Sequence, residues 1–300
     1  MVRKARPGRL WHLSLPITSE SEDAVREALF ELFGVSPSVY YDAETHAISA
    51  HIYLPNRPAV KKLDELTRAL ERVRAAGLAL PGQRFALKTI RKEDWAESWK
   101  RHFKPLMIRR RLLIRPSWIR KPVPKGCAVV VLDPGLSFGT GQHPTTRFCL
   151  EQLVAHRKAA ESQSFLDIGT GSGILAVAAA KLGYGPVDAI EIDPQAVQIA
   201  RLNARKNRVN QKLNIIYQDL NQFRPKDEYD LVCANLIFDL LIDMRRKLIH
   251  CVKPSGHLVI AGILRTQMPR VLRAFTGSGA KLISRRTEAE WESASLVRER

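Results

Sequence analysis

Along this chain the spacing of apolar residues switches between two and about 3.6, and the switches outline the elements. Trp11, Leu13 and Leu15 alternate with polar neighbours as in a half-buried strand. Ala24, Val25, Ala28, Leu29, Leu32 and Phe33 then recur at helical spacing, with Ser19 or Ser21 as the cap and Gly34 as the stop. Residues 38–41 and 47–54 flank a turn at 42–45 and read as an antiparallel hairpin. A second helix over 59–76 buries Val60, Leu63, Leu66, Leu70 and Val73, and 85–90 is a further strand. The order β-α-β-β-α-β predicts a small ferredoxin-like α+β domain over residues 1–90.

Residues 91–122 read as a helical and basic connector. Trp95, Trp99 and Phe103 recur every four residues and give a helix one aromatic side, read here as a packing face. A basic strand over 109–115 follows, with Pro116, Pro122 and Pro124 punctuating its exit. From 123 to 300 short apolar runs alternate with helical patterns. Strands fall at 129–132, 164–168, 187–191, 213–217, 229–234 and 257–261. Helices carry Phe148, Leu150 and Leu153, begin near Ser172, run from Pro194 to Ala204, start at about Leu236, and follow Thr266. A closing pair lies near 281–283 and 291–296. Alternation of this kind demands a doubly wound, mostly parallel α/β sheet of Rossmann-like type, with ligands at the carboxyl ends of the strands.

Composition adds limits. The 300 residues, 45% of them hydrophobic, suffice for two cores. No run approaches the roughly eighteen apolar residues of a membrane span. The basic start, Met1 to Arg9, leads into no apolar run of signal-peptide type, so a cytoplasmic protein is expected. Cys127, Cys149, Cys233 and Cys251 are dispersed and unpaired by spacing, which predicts reduced core thiols and no metal site. His12, His46 and His51 share no ligand spacing. The formal net charge is +18, and fourteen Lys and Arg stand against three Asp and Glu between Arg84 and Lys125. A stripe of that density suits RNA phosphate or an acidic protein face, or is a solvated surface.

The chemistry concentrates at Ser164-Phe165-Leu166-Asp167-Ile168-Gly169-Thr170-Gly171-Ser172-Gly173-Ile174-Leu175. An apolar strand runs into three alternating glycines, which let the backbone turn sharply and approach a ligand. The spacing is D-x-G-x-G-x-G, not the G-x-G-x-x-G of dinucleotide sites. Asp167 before the turn would repel a pyrophosphate but suits a ligand bearing an amine and a sulfonium. About twenty residues on, Glu191 ends the next strand where ribose hydroxyls are gripped, with Asp193 beside it. The loop Phe138-Gly139-Thr140-Gly141-Gln142-His143-Pro144-Thr145-Thr146 is built of small hydrogen-bonding residues and reads as a lid over the cofactor. His143 or Thr145 caps the helix behind it, with Pro144 in the first turn. Asn235, at the end of strand 229–234, stands where a methyl acceptor would sit and can orient an amine.

These segments resemble the ribosomal protein L11 methyltransferases, a family of class I S-adenosylmethionine-dependent enzymes. The resemblance rests on the loop 138–146, on Asp167 to Leu175, on Glu191-Ile192-Asp193-Pro194 and on Ala234-Asn235-Leu236-Ile237, and extends to the Trp95/Trp99 segment and Arg115-Pro116-Ser117-Trp118. It implies methyl transfer from S-adenosylmethionine to lysine side-chain and N-terminal amines of that ribosomal protein. It also implies cofactor contacts at Thr146, Gly169, Glu191 and Asn235, and a substrate-recognising N-terminal domain. Phe138, Gly139, Thr140, Asp167 and Gly171 complete the expected cofactor set, Asn235 is the expected amine-orienting residue, and a monomer with RNA contact through the 84–125 stripe is the expected state. Glu191 stands where the family usually has Asp, which keeps the carboxylate and lengthens its reach. Two other readings keep the fold: a lysine methyltransferase of another protein, and a basic RNA-binding or ribosome-assembly factor. Methylation of nucleic acid is disfavoured, since Ala234-Asn235-Leu236-Ile237 lacks an Asn-Pro-Pro-aromatic sequence.

Overall fold

The computed structural model describes residues 9–35, 37–41, 45, 47–81, 85–91, 104–120, 122–133, 143–158, 160–225 and 227–299. The Trp95/Trp99/Phe103 segment, His46 and the lid residues Phe138, Gly139 and Thr140 lie outside them. The chain divides into two units, Met1–Lys104 and Pro105–Arg300.

The first unit runs β1 (Arg9–Ile17), α1 (Glu22–Phe33), β2 (Ser38–Tyr41), β3 (Ile48–Leu54), α2 (Val60–Ala75) and β4 (Ala86–Arg91). Its antiparallel sheet has the order β2-β3-β1-β4, the ferredoxin-like arrangement expected. Period-two alternation sorts the sides: Leu13, Leu15, Ile17, Ala50, Ile52 and Leu54 pack on Val25 and Leu29 of α1 and Leu66 and Leu70 of α2. The alternate positions bring together histidines that sequence spacing kept apart. His12 Nε2 lies 2.7 Å from His51 Nδ1, and the His12 ring stacks on both His51 and Tyr53. Burial, and then the nearby Lys88 ammonium, push His12 down to about 4. Among the described residues no three His, Cys, Asp or Glu gather as metal ligands.

In the second unit, β5 (Leu106–Ile108), β6 (Leu112–Arg115) and β7 (Ala128–Val131) form a small sheet in that order. The expected boundary near residue 122 therefore differs from the observed division at 104/105. Physically, Ile108, Leu112 and Ile114 are buried in one cluster with Val130, Phe148 and Leu150, so the basic 109–115 strand is part of this unit's core and not a linker. Asn207 fastens β7 further, accepting from Val131 N at 2.7 Å and donating to Val131 O at 2.8 Å.

The main sheet is built from α3 (Pro144–His156), β8 (Phe165–Ile168), α4 (Ile174–Leu182), β9 (Val187–Glu191), α5 (Pro194–Lys206), β10 (Leu213–Tyr217), β11 (Tyr229–Asn235), α6 (Phe238–His250), β12 (Val252–Leu264), α7 (Met268–Thr276), β13 (Ala280–Glu288) and β14 (Trp291–Arg298). Its strand order is β10-β9-β8-β11-β12-β14-β13. The first five run parallel, and β14 pairs antiparallel with both β12 and β13. Alternate residues feed two cores. Phe165, Leu231, Cys233, Val259 and Ala261 join α3 and α4, whereas Leu166, Ile168, Val232, Ala234, Leu258 and Ile260 join α6 and α7. Both faces of the central strands are thus dry, as near-continuous apolar runs require. The order reverses between β8 and β11, and that reversal opens a crevice at their carboxyl ends.

Candidate active site

Every residue of the site lies at the carboxyl end of a strand or the first turn of the helix after it. Strand β8 ends at Ile168, and Gly169 follows with φ +72°. Its N–H and that of Thr170 both donate to Ile190 O at 3.0 Å, which bends the chain off the sheet. A Cβ on Gly169 would come within 2.5 Å of the movable tip of Leu236, Cδ2, and it is the left-handed φ that makes glycine the favoured residue here. Thr170 O closes the turn by accepting from Gly173 N at 2.8 Å, and α4 starts at Ile174 rather than near Ser172. Asn203 of α5 supports the loop from outside, donating to Ser172 O at 2.8 Å.

Asp167 sits beneath this turn, 1% exposed. Its Oδ2 accepts from Thr170 Oγ1 at 2.5 Å, and the Ala176 amide is a second donor. Burial pushes its carboxyl up to about 7, with Glu191 adding in the same direction and the two donors opposing. The carboxyl thus ties the turn to the start of α4.

Glu191, at the end of β9, reaches the turn itself. Its Oε2 accepts from Gly171 N at 2.8 Å, while Oε1 accepts from Ile192 N at 2.9 Å and Asp193 N at 3.1 Å. Three amides thus orient one carboxylate at the lip of the crevice. Asp193 caps α5 by accepting from Gln195 N at 2.8 Å, a structural role beside the site.

His143 caps α3, its Nδ1 accepting from Thr145 N, with Pro144 in the first turn. Burial holds this imidazole at about 4, with Glu290 opposing, and its ring meets Trp291 edge-on at 5.0 Å. One turn on, Thr146 is buried and its Oγ1 has no hydrogen-bond partner among the described residues. A buried hydroxyl left so costs about 1–3 kcal/mol, which a ligand oxygen or nitrogen removes.

The acceptor side is set by β11. Ala234 is paired with Ile168 in the parallel register, so Asn235 follows at the strand end beside the one that leads into the glycine turn. Leu236 N donates to Ala261 O at 3.1 Å, and its side chain is the one that presses on Gly169. Below them Gly262 has φ +84°, and a Cβ there would lie 2.7 Å from Leu236 O and 3.0 Å from Asn235 Oδ1. Gly262 and Leu236 escaped sequence reasoning as site residues: neither is chemically active, and each matters only through what it touches.

Of the expected residues, then, the fold brings Asp167, Gly169, Gly171, Glu191 and Asn235 to the carboxyl ends of three neighbouring strands, and sets Thr146 in the first turn of α3. A buried unpartnered hydroxyl, a glycine turn with no room for a side chain and an oriented carboxylate fit a nucleoside ligand with an attached amino acid. Together with the strand order, they fit the fold and cofactor site of the class I S-adenosylmethionine-dependent methyltransferases.

The comparisons narrow this further. The sequence profile of the family described as "Ribosomal protein L11 methyltransferase (PrmA)" matches residues 9–299. A ribosomal protein L11 methyltransferase of Geotalea uraniireducens is 38% identical over 78% of this chain and 77% of its own. One from Trichlorobacter lovleyi is 44% identical over 66% of this chain and 67% of its own. A crystal structure of ribosomal protein L11 methylase from Lactobacillus delbrueckii subsp. bulgaricus superposes with a TM-score of 0.59 at 28% identity, covering 66% of this chain and all of that one. The chain belongs to the ribosomal protein L11 methyltransferase family.

Proposed function

We propose that the protein transfers methyl groups from S-adenosylmethionine to lysine side-chain and N-terminal amines of ribosomal protein L11. One juxtaposition carries the reading: Ala234 pairs with Ile168 just before the glycine turn, and Leu236, two residues on, lies against Gly169, so Asn235 between them stands at the strand end next to the cofactor turn. In this reading the Gly169 and Gly171 backbone approaches the cofactor, Glu191 grips its ribose hydroxyls, and Thr146 Oγ1 gains its missing partner. Asp167 holds the turn from below.

When bound, S-adenosylmethionine supplies a methyl group on a positively charged sulfur, open to displacement by a neutral amine. Asn235 Oδ1 accepts a hydrogen bond from that amine and aims its lone pair. A lysine amine, with a pKa of about 10.4 in water, sheds its proton on leaving solvent beside a cation. Water takes that proton, so no dedicated base is required and the rate comes mainly from placement. The ferredoxin-like unit recognises the substrate protein. The enzyme works in the cytoplasm as a monomer, with the 84–125 stripe touching ribosomal RNA. Among the described residues no helix is long and apolar enough to cross a membrane.

Incubation with methyl-labelled S-adenosylmethionine and purified L11, followed by mass spectrometry, tests this. Label on lysines or the N-terminus of L11 supports it; label only on another ribosomal protein or on RNA replaces the substrate, and no label with tight RNA binding overturns the enzyme reading.

A further inference from the structure

From Ser98 to Leu132 the chain carries no Asp or Glu, while Arg109, Arg110, Arg111, Arg115, Arg120, Lys121 and Lys125 all fall between 109 and 125. The fold does not spend these charges evenly. Arg111 Nη1 donates to Val154 O at 3.2 Å, and Arg115 Nη1 donates to Ile119 O, so both are tied to the unit's own backbone. Arg109 and Arg110 are different. They are exposed, form no ion pair with a described residue, and occupy the two central places of the turn that joins β5 to β6. That turn closes by Arg111 N donating to Ile108 O at 2.9 Å, and both arginines have positive φ, +45° and +53°.

Two consecutive positive φ values are the pattern of a type I′ hairpin turn, whose favoured sequence is Asn-Gly. Side-chain-bearing residues other than Asn and Asp are strained there. The strained turn therefore holds two long cationic side chains, both exposed at the end of a small sheet. The neighbouring turn adds a third charge: Ala128 N donates to Arg111 O at 2.8 Å and Cys127 N to Pro124 O at 3.1 Å, which sets exposed Lys125 at the same end. Beneath them the His156 and His257 rings are in contact, centroids 3.9 Å apart, with Arg109 acting on the first and Lys158 on the second. Glu161 offsets Lys158 at 3.2 Å; Arg109, Arg110 and Lys125 have no such partner among the described residues.

We propose that the Arg109–Arg110 turn, with Lys125 beside it, is a docking point for the phosphate backbone of RNA. Guanidinium groups recognise phosphate in two-pronged fashion, and a fixed turn presents them without the entropy cost of a flexible tail. That the polyanion is RNA rests on the proposed ribosomal substrate; the phosphate chemistry does not. Since the site lies off the methyl-transfer crevice, it would hold the enzyme near ribosomal RNA without entering the reaction.

The test is fluorescence anisotropy of the full-length protein with a labelled mixed-sequence single-stranded RNA over a series of salt concentrations, repeated with duplex DNA and with polyglutamate. Arg109→Asn/Arg110→Gly removes both charges while giving the turn its preferred residues, so a folding defect is not expected; Arg109→Lys/Arg110→Lys keeps the charge. Loss of two phosphate contacts should flatten the log–log salt dependence by about 1.4, or roughly 25-fold in affinity at 0.1 M salt, at about 0.7 per contact on single strands. The Lys variant should keep most of the affinity. Equal binding and slope for the Asn-Gly variant and the parent would overturn the proposal, as would polyglutamate binding as tightly as RNA, which would make the partner an acidic protein. DNA bound as well as RNA would keep the phosphate site and remove RNA as its particular ligand. Methyl transfer to free L11 on the same preparations reports separately on the proposed function.

Discussion

Leu236 occupies the space that a side chain on Gly169 would need: its Cδ2 lies 2.5 Å from the place of a Cβ there. The cofactor turn and the acceptor strand therefore meet at these two residues. Gly169→Ala combines that overlap with an unfavourable φ of +72°, and should cost about 1–3 kcal/mol of stability and abolish S-adenosylmethionine binding. Adding Leu236→Ala should recover part of the stability by removing the overlap but not the strain. Isothermal titration with S-adenosylhomocysteine, beside urea unfolding, measures both; full binding by Gly169→Ala would refute the placement of the turn.

Gly262 tests the other end of this contact chain. A methyl group there would crowd Leu236 O at 2.7 Å and Asn235 Oδ1 at 3.0 Å. Gly262→Ala should thus lower kcat by tenfold or more while changing cofactor affinity little, because it moves the amide that aims the amine. Asn235→Ala should show the same split. A pure rise in KM for S-adenosylmethionine in either variant would contradict the assigned role.

Glu191 offers its carboxylate to three amides, and a neutral amide would set N–H against N–H at one of them. Hydrogen bonds to charged groups contribute roughly 1.5–3 kcal/mol, so Glu191→Gln should weaken cofactor binding by at least about tenfold. Equilibrium dialysis with labelled cofactor decides this, and affinity within twofold of the parent would remove Glu191 from the site.

Asp167 and His143 predict opposing pH effects on the second unit. Burial raises Asp167 to about 7, so the native state keeps a proton that an unfolded Asp loses near 3.9; its contribution is complete below about 3.9 and is lost as pH rises through 7. His143 is held at about 4 against roughly 6.5 when unfolded, so its contribution is complete above about 6.5 and is lost as pH falls to 4. Asp167→Asn should therefore gain on the parent as pH rises from 4 to 7, by at most about 1.4 kcal/mol per pH unit. Urea unfolding at half-unit pH steps provides the check; a constant difference would mean that the carboxyl is ionised in the fold.

By itself the sequence determined the elements and the chemistry carried inside one stretch of chain. Period-two and helical spacing located β1, α1, α2 and the strands of the main sheet, since each pattern reports only which local face is apolar. The D-x-G-x-G-x-G turn and the acid twenty residues on were legible because strand, turn and helix follow directly on one another. Tertiary structure decided everything that depends on distant residues touching. It placed 109–115 in the second unit's core, because a basic strand with buried Leu112 and Ile114 looks like a linker until β7 pairs with it. Pairing of β1 with β3 likewise joined His12 to His51. Leu236 became a site residue because a strand end some sixty-seven residues from Gly169 arrives against it, and Gly262, twenty-six residues further on, because it lies against Leu236 and Asn235; no spacing rule carries information across such distances.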